Sequence, residues 1–240
     1  MAFLSVLAFA HKLAGESVRR GDCAIDATAG GGNDTAFLAR CAGPSGTVYA
    51  FDIQADALRR TEARLLREGA PGPGLIIRHA PSFPAGQAGE PPAAASPDGG
   101  TSAFKEMAGP GVWLIQESHH RMADLIPAAV RGHVAAVMFN LGYLPGGDPG
   151  IITRAATTIP ALDAAAALLR PDGVLTCVVY PGHEGGGEEA EAVEAWAAAL
   201  DLERFHAITY RTVNVSGRSG RPPYLIAVRK LASRSGAGGE

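Results

Sequence analysis

Residues 26–35 read Asp-Ala-Thr-Ala-Gly-Gly-Gly-Asn-Asp-Thr and follow a short apolar run. Small residues allow a ligand to lie against the backbone, and the helix that follows offers its free N–H groups. A turn that binds a nicotinamide cofactor carries Gly-x-Gly-x-x-Gly, whereas this chain has Thr35 at the third glycine position. Asp26 precedes the glycines and suits a cationic ligand better than a pyrophosphate. The α-amino group and sulfonium of S-adenosylmethionine are such cations, so Asp26 and Gly30 are candidate cofactor contacts.

A second acid, Asp52, closes the next apolar run, 22 residues after Gly30. This spacing is typical of a carboxylate that binds the hydroxyl groups of a ribose. The Gly-rich turn and Asp52, in a strand–turn–helix–strand context, therefore predict a site for S-adenosylmethionine. The alternative interpretation is an α/β domain whose turns bind nothing.

A third polar cluster follows the apolar run 133–140 and reads Phe-Asn-Leu-Gly-Tyr-Leu-Pro-Gly-Gly-Asp over 139–148. Asn140 stands at the carboxyl end of a predicted strand, where doubly wound folds bind ligands. An Asn followed by an aromatic residue and a proline resembles the Asn-Pro-Pro-Tyr loop of amino-group methyltransferases. In that loop a carbonyl accepts a hydrogen bond from the target nitrogen and an aromatic ring packs on the base. Asn140 and Tyr143 are therefore the candidate catalytic residues, although a plain turn could have the same composition.

Hydrophobic periodicity predicts alternating strands and helices around these clusters. The predicted strands are 23–28, 47–53, 112–117, 133–140, 174–180, 206–214 and 223–230. The predicted helices are 35–42, 55–68, 121–131, 151–170 and 187–200, with one more in the apolar N-terminal residues. The pattern predicts an α/β, doubly wound, Rossmann-like methyltransferase fold. Its seven-stranded sheet is mostly parallel, with one antiparallel strand at the end.

Length and composition favour a single domain over 1–240, since 47% of the residues are hydrophobic and 19% are charged. Residues 69–111 are rich in Pro, Gly and Ala, which predicts a flexible surface insertion, with a functional lid as the alternative. The apolar first ten residues lack a basic n-region and are too short to span a bilayer. We therefore expect a first helix packed on the sheet, and no membrane partner.

The three cysteines are odd in number and far apart, and none forms a Cys-x-x-Cys pair. This pattern argues against a disulfide framework and a zinc site, and it fits a reducing cytoplasm. No other spacing suggests a metal. The chain also lacks the Gly-x-Ser-x-Gly elbow of many hydrolases.

The charge distribution is uneven although the net charge is only −3. After Phe205 the chain carries six positive residues before the terminal Glu240: Arg211, Arg218, Arg221, Arg229, Lys230 and Arg234. A segregated positive segment can bind a polyanion, and a solvated strand edge is the alternative. Arg218 and Arg221, in the Ser-Gly-Arg-Ser-Gly-Arg connection between the last two strands, are the candidate substrate contacts.

Five segments carry a more specific signal: IDATAGGGNDTAFLA, VYAFDIQADALRRT, LIQESHH, MFNLGYLPGGD and VVYPGHEGG. In this order they resemble a bacterial family first labelled rRNA methylases. Its characterised members methylate the aminomethyl group of 5-aminomethyl-2-thiouridine at the tRNA wobble position. The resemblance covers nearly the whole chain except 69–111. It implies S-adenosylmethionine as cofactor, the tRNA anticodon arm as partner, and a homodimer.

The resemblance also implies which residues line the cofactor site: Gly31, Asn33, Asp34, Asp52, Gln54, Ser118 and His119. The family turn reads Ala-Gly-Asn-Gly-His-Asp-Thr, so this chain has Gly31 in place of Asn and Asn33 in place of His. A backbone contact at Gly31 survives this change, whereas a side-chain contact does not. Without the resemblance, His119 and His120 would be typical of a polar loop. His183, in Tyr-Pro-Gly-His-Glu, is either a loop cap or a substrate contact.

The expected function is transfer of a methyl group from S-adenosylmethionine to the aminomethyl nitrogen of the wobble uridine. Two alternatives stay open. One is a methyltransferase of the same fold that acts on rRNA, another RNA or a small amine. The other is a nucleotide-binding module without catalytic activity.

Overall fold

Alternating strands and helices make up the described part of the chain, which comprises residues 3–70, 72, 74, 76–80, 107–148, 150–214 and 221–232 of a computed structural model. The strands are β1 Cys23–Asp26, β2 Thr47–Phe51, β3 Ile77–His79, β4 Gly111–Ile115, β5 Val134–Asn140, β6 Leu169–Val179, β7 Phe205–Tyr210 and β8 Tyr224–Lys230. The helices are α1 Val6–Ser17, α2 Asn33–Ala42, α3 Ala55–Glu68, α4 Met122–Leu125, α5 Ala155–Leu168 and α6 Gly186–Ala198. Two 3₁₀ turns, His119–Arg121 and Ala128–Val130, flank α4.

The eight strands form one sheet in the order β3-β4-β2-β1-β5-β6-β8-β7. Strand β8 runs antiparallel to both of its neighbours, β6 and β7, and the other pairings are parallel. The chain moves outward from β1 to β2 and β4, and then crosses to the other side of β1 with β5. This reversal creates a switch point between β1 and β5. The predicted doubly wound fold with one antiparallel strand is confirmed, and the sheet has one strand more than the seven expected.

The additional strand, β3, lies within 69–111, the segment expected to be a flexible insertion. It pairs in parallel with β4, so this part of the segment belongs to the sheet. Near the other end of the segment, Met107 is fully buried. Its carbonyl accepts a hydrogen bond from the Tyr49 hydroxyl at 2.7 Å. The predicted insertion is therefore too wide at both ends, and its central residues 81–106 lie outside the described part of the chain.

The helices cover both faces of the sheet. Helices α1 to α3 bury apolar side chains such as Leu38 and Leu65 against one face, and α4 to α6 bury side chains such as Leu162 and Val193 against the other. Because both faces are covered, the central strand β5 is buried along almost its whole length and reads as a continuous apolar run. Within the described ranges, every helix is too short or too polar to cross a bilayer.

The apolar N-terminal residues form α1, as expected. The Ser5 side chain caps this helix by accepting a hydrogen bond from the backbone N–H of Ala8 at 3.2 Å. Ala10 and Ala14 are fully buried, and their small side chains let α1 pack closely on β5 and β6. At the end of the helix, the Ser17 hydroxyl donates a hydrogen bond to the carbonyl of Ala135 at 2.7 Å.

Two predicted helices differ from the structure. The predicted helix 121–131 is reduced to the single turn α4, and Pro127, which lacks an N–H, follows it. The predicted helix 151–170 begins only at Ala155, because residues 151–154 line a cavity instead. This helix ends at Leu168, and β6 begins at the next residue, Leu169.

The turn between β1 and α2 depends on Gly32, which has a φ of 80°. A Cβ atom at this position would lie 2.7 Å from the Cα of Thr61 on α3, which is closer than side chains approach in proteins. A Cβ at the neighbouring Gly31 would meet nothing within 4 Å. The close approach of α3 to the turn therefore requires glycine at 32 but not at 31.

We predict that Gly32→Ala lowers the free energy of unfolding by at least about 2 kcal/mol. The left-handed backbone costs about 1–2 kcal/mol for a residue with a side chain, and overpacking costs about 1–3 kcal/mol. Gly31→Ala is the matched control and should change stability by less than about 1 kcal/mol. Urea unfolding measures both. Equal stability of the two variants would contradict the packing of α3 on this turn.

Candidate functional site

A cavity of about 340 Å³ opens at the carboxyl ends of β1, β2, β4 and β5. This place is the switch point of the sheet, where doubly wound folds bind ligands. Most of the predicted site residues line it: Gly30, Gly31, Asn33, Asp34, Asp52, Gln54, Ser118, His119, Asn140 and Tyr143. The structure does not bring Asp26, His183 or Arg221 into the cavity wall. Arg218 lies outside the described residues.

Asp26, expected to contact the cofactor, lies beneath the Gly-rich turn and is fully buried. One oxygen accepts the backbone N–H of Thr28 at 3.1 Å, and the other accepts the hydroxyl of Thr35 at 2.6 Å. Burial, assisted by the nearby Asp34 carboxylate, raises the pKa of Asp26 to about 7. Asp26 therefore stabilises the Gly-rich turn on the side away from the cavity and is not a cofactor contact. Other carboxylates line the cavity.

Among the described residues, three line the cavity with carboxylate side chains: Asp34, Asp52 and Glu117. Asp52 accepts the backbone N–H of Gly30 at 2.9 Å on one oxygen and that of Gln54 at 2.8 Å on the other. Burial raises the pKa of Asp52. These bonds tie the end of β2 to the Gly-rich turn. The Ile53 N–H also contacts the carboxylate, which keeps acceptor capacity for a hydroxyl group of a ligand.

Asp34 is held in the cavity wall by a residue from the N-terminal helix. Its Oδ1 lies 2.5 Å from Nε2 of His11, and the His11 ring stacks on Phe37 with centroids 4.2 Å apart. Asp34 also lies in the first turn of α2, where the helix dipole stabilises a negative charge. Helix α1 thus contributes to the site because His11 holds Asp34 in place. No local sequence pattern indicated this contact.

His119 lines the cavity and has a ring nitrogen without a partner among the described residues. The side chain is buried, its ring is hydrogen-bonded to the backbone of Ala27, and its Nε2 has no partner among the described residues. Burial lowers the pKa of His119 to about 4, so the ring is neutral at physiological pH. With the Ala27 contact on Nδ1, Nε2 carries a lone pair that can accept a hydrogen bond from a ligand.

Asn140 ends β5 beside the Gly-rich turn. Its backbone N–H donates to the Thr28 hydroxyl at 2.8 Å, which fixes the position of the residue. Its side-chain Oδ1 is buried and has no hydrogen-bond partner within the described ranges. A buried acceptor without a partner costs about 1–3 kcal/mol, so this atom is suited to receive an N–H group from a ligand.

Tyr143 lies at the cavity mouth with half of its surface exposed. Its ring contacts that of His183 edge to face, with centroids 6.1 Å apart. The Nδ1 of His183 lies 2.9 Å from the carbonyl of Glu184, within its own loop. The Nδ1 contact fits the loop-cap interpretation of His183. Its Nε2, however, is buried and has no partner among the described residues, so a substrate contact stays a prediction.

The loop that carries Asn140 and Tyr143 is anchored to α6 through a buried acid. The Thr153 hydroxyl accepts the backbone N–H of Gly142 at 2.8 Å and donates to Oε2 of Glu189 at 2.8 Å. Glu189 is 2% exposed. The Thr153 backbone N–H also donates to the carbonyl of Gly142 at 2.9 Å. The two ends of the loop are thereby held together, which keeps Asn140 and Tyr143 in the same wall.

Comparisons with known proteins agree with this arrangement. A family model described as "Putative rRNA methylase" matches residues 101–229. A tRNA (mnm5s2U34)-methyltransferase of Arabidopsis thaliana, described as chloroplastic, is 35% identical over 210 residues. The chain belongs to this rRNA methylase family. The predicted family is confirmed, and with it the expected enzyme class.

Two solved structures of the family type are similar over almost the entire chain. One, described as a "putative rRNA-methylase" from Clostridium thermocellum, has 32% identity and a TM-score of 0.75, covering 96% of this chain and 100% of that one. The other, a "putative methyltransferase" from Streptococcus mutans in complex with SAH, has 26% identity and a TM-score of 0.70, with the same coverage. The match with the Arabidopsis protein covers 85% of this chain but only 63% of that longer relative.

Among the described residues that line the cavity, the sequence analysis missed two charged ones, Glu117 and Arg154. Glu117 follows β4 by two residues, so the search for acids after strands could have found it. Arg154 belongs to no motif. It reaches the cavity only because the long loop after β5 folds back to the start of α5.

The positive segment near the C-terminus is divided between the two edges of the sheet. Because β8 is antiparallel, Arg221 stands before its first residue at the edge where β6 ends, whereas Arg229 and Lys230 lie at the opposite edge. Arg229 pairs with Asp172 at 2.8 Å, and Lys230 donates to main-chain carbonyls at the end of α5. The positive residues that the structure describes are therefore split between the two ends of β8. Of the two candidate substrate contacts only Arg221 is described, and it lies at the edge that carries the cavity.

Asp26 and His119 should give protein stability opposite dependences on pH. The pKa of Asp26 is raised to about 7, so its contribution to the free energy of unfolding falls as the pH rises from about 4 to 7. The pKa of His119 is lowered to about 4, so its contribution is lost as the pH falls from about 6.5 to 4.

We predict that Asp26→Asn gains stability relative to the wild type as the pH rises through this window, and that His119→Gln gains as the pH falls. Asn can still accept from Thr28 and contact Thr35, so Asp26→Asn removes the titration with little change in shape. Urea unfolding of the ligand-free proteins at several pH values measures both effects. A constant difference between Asp26→Asn and the wild type would contradict the raised pKa.

Proposed function

We propose that this chain transfers a methyl group from S-adenosylmethionine to the aminomethyl nitrogen of 5-aminomethyl-2-thiouridine at the tRNA wobble position. Family membership, the relative named for this tRNA reaction and the relative solved with SAH support the proposal. The observation that carries it is the unpartnered, buried Oδ1 of Asn140 at the switch point. Asn140 lines the cavity beside the Gly-rich turn, and in this proposal its free acceptor receives an N–H of the amine.

The residues around the Gly-rich turn fit S-adenosylmethionine. Asp34 and Glu117 match its cationic groups, Asp52 matches its ribose hydroxyls, and Nε2 of His119 offers an acceptor for a polar N–H. Gly31 contributes its backbone, and the space beside its Cα leaves room for the ligand. When bound, S-adenosylmethionine supplies a methyl group that its sulfonium charge already activates.

The task of the protein in this reaction is alignment of the amine. Asn140 Oδ1 accepts a hydrogen bond from the amine nitrogen and thereby directs its lone pair, while Tyr143 packs on the base at the mouth of the cavity. Neither residue is a base, so their roles are orientation and binding. The Glu189–Thr153 anchor keeps the two side chains at a constant distance from the cofactor part of the cavity.

We extend the proposal to a single domain over 1–240 that acts as a homodimer in the cytoplasm. Exposed apolar side chains on and near the edge strand β7 support contact with a second copy: Leu202, Ile208 and Val213. The free cysteines Cys23, Cys41 and Cys177 support a reducing compartment. Arg221, at the cavity edge of the sheet, is the proposed contact for the anticodon arm together with Arg218, which lies outside the described residues.

The cofactor assignment predicts that Asp52→Ala weakens binding of S-adenosylmethionine at least about tenfold. The change removes charge-assisted hydrogen bonds worth about 1.5–3 kcal/mol each. Titration calorimetry measures the dissociation constant. Asp124→Ala removes an exposed acid outside the cavity and should leave it unchanged. Unaltered affinity of Asp52→Ala would show that the cofactor binds elsewhere.

The substrate assignment predicts methyl transfer to tRNA that carries the aminomethyl group and none to the same tRNA without it. Purified enzyme and labelled S-adenosylmethionine measure this directly. Asn140→Ala should lower kcat by about 10²-fold or more, because the amine loses the group that orients it, while tRNA binding stays nearly intact.

Three results of that assay separate the alternatives. Equal methylation of both tRNAs would contradict the wobble amine as the target. Methylation of rRNA or a small amine in place of tRNA would point to another substrate on the same fold. Tight cofactor binding without any transfer would favour a nucleotide-binding module.

A further inference from the structure

The cavity wall is divided by charge. Among the described residues that line it, the carboxylates of Asp34, Asp52 and Glu117 follow β1, β2 and β4, on the side of the Gly-rich turn. The one guanidinium group among these lining residues belongs to Arg154, which ends the loop after β5 and directly precedes α5. The acidic side matches the cationic cofactor, so Arg154 is placed to meet a ligand of opposite charge.

Hydrogen bonds of residues on both sides of Arg154 in the sequence fix its backbone. Its neighbour Thr153 donates to one oxygen of the buried Glu189 at 2.8 Å, and Thr158, one turn further, donates to the other at 2.6 Å. The carbonyl of Arg154 accepts the backbone N–H groups of Thr157 and Thr158 at 2.9 Å, which starts α5. These bonds fix the position of the Arg154 Cα, from which the side chain extends, in the cavity wall.

The guanidinium of Arg154 is free to bind a ligand. Within the described part of the chain, no carboxylate lies within 4.0 Å of it. Arginines near the acidic side are different, since Arg60 pairs with Asp56 at 2.6 Å and Arg64 with Glu68 at 2.9 Å. Arg154 is also exposed, so a large ligand can reach it from solvent.

We propose that Arg154 binds a phosphate of the RNA backbone and thereby seats the nucleotide whose amine meets Asn140. The planar guanidinium matches two phosphate oxygens at once. A nucleotide whose base enters a cavity leaves its flanking phosphates at the mouth, where Arg154 and Tyr143 lie. The inference rests on the proposed RNA substrate and adds the contact that lets the enzyme distinguish a nucleotide in RNA from a free nucleoside.

The experiment compares Arg154→Gln with the wild type on an anticodon stem–loop that carries the aminomethyl group. Gln keeps a polar side chain but removes the charge. We expect KM for the stem–loop to rise about tenfold. The slope of log(kcat/KM) against log salt concentration should become shallower by about 0.7–0.9, the value for one lost phosphate contact. The affinity for S-adenosylmethionine and the methylation rate of the free nucleoside, which has no phosphate, should stay as in the wild type.

Arg229→Gln is the matched control, because Arg229 lies at the opposite edge of the sheet and should change neither KM nor the salt slope. An unchanged KM and slope in Arg154→Gln would overturn the inference. Weaker cofactor binding would also overturn it, since Arg154 would then serve the cofactor carboxylate. A wild-type enzyme that methylates neither substrate would contradict the proposed function instead, and the salt dependence of stem–loop binding by the same variants would still decide the role of Arg154.

Discussion

The cavity depends on the hydrogen bonds of one buried carboxyl group, that of Asp26. A buried carboxyl group without partners is costly, so the chain after β1 folds to bring it the N–H of Thr28 and the hydroxyl of Thr35. The turn shaped in this way presents the N–H of Gly30 to Asp52 and the hydroxyl of Thr28 to the N–H of Asn140. One buried group thus sets the positions of the ends of β1, β2 and β5, which are three of the four strands at whose ends the cavity opens.

A second buried acid organises the other side of the cavity. Glu189 receives the hydroxyl groups of Thr153 and Thr158, and Thr153 in turn holds Gly142 by two hydrogen bonds. Asp26 ends β1 and contacts Thr35 on α2, whereas Glu189 lies on α6, on the other face of the sheet. The cavity lies between the segments that these two acids hold. The first half presents carboxylates and the second presents an amide acceptor, an aromatic ring and an arginine. This division suits a cationic cofactor on one side and an anionic polymer on the other.

Much of the site could be predicted from local patterns, because the polar residues that follow parallel strands gather at one edge of a sheet. The Gly-rich turn, Asp52 and Asn140 were found in this way, and the structure brings them to one cavity. Asp26 also ends a parallel strand, but its side chain is buried beneath the turn. Its position in the sequence predicts the edge of the sheet at which it lies and does not predict the direction of its side chain. The short strand β3 was missed, because three residues within a Pro- and Gly-rich segment carry too little periodicity.

The sequence by itself determined the fold class, the helix α3 with both of its ends, the Gly-rich turn and the family, since each rests on short-range spacing along the chain. Only the tertiary structure decided which acids face the cavity, that His11 supports Asp34, and that Glu189 anchors the loop carrying Asn140. It also decided that Arg221, and not Arg229, lies at the edge that carries the cavity, because β8 runs antiparallel to β6. These contacts join residues far apart in sequence or depend on strand direction, so they are set by packing between elements and leave no local pattern to find.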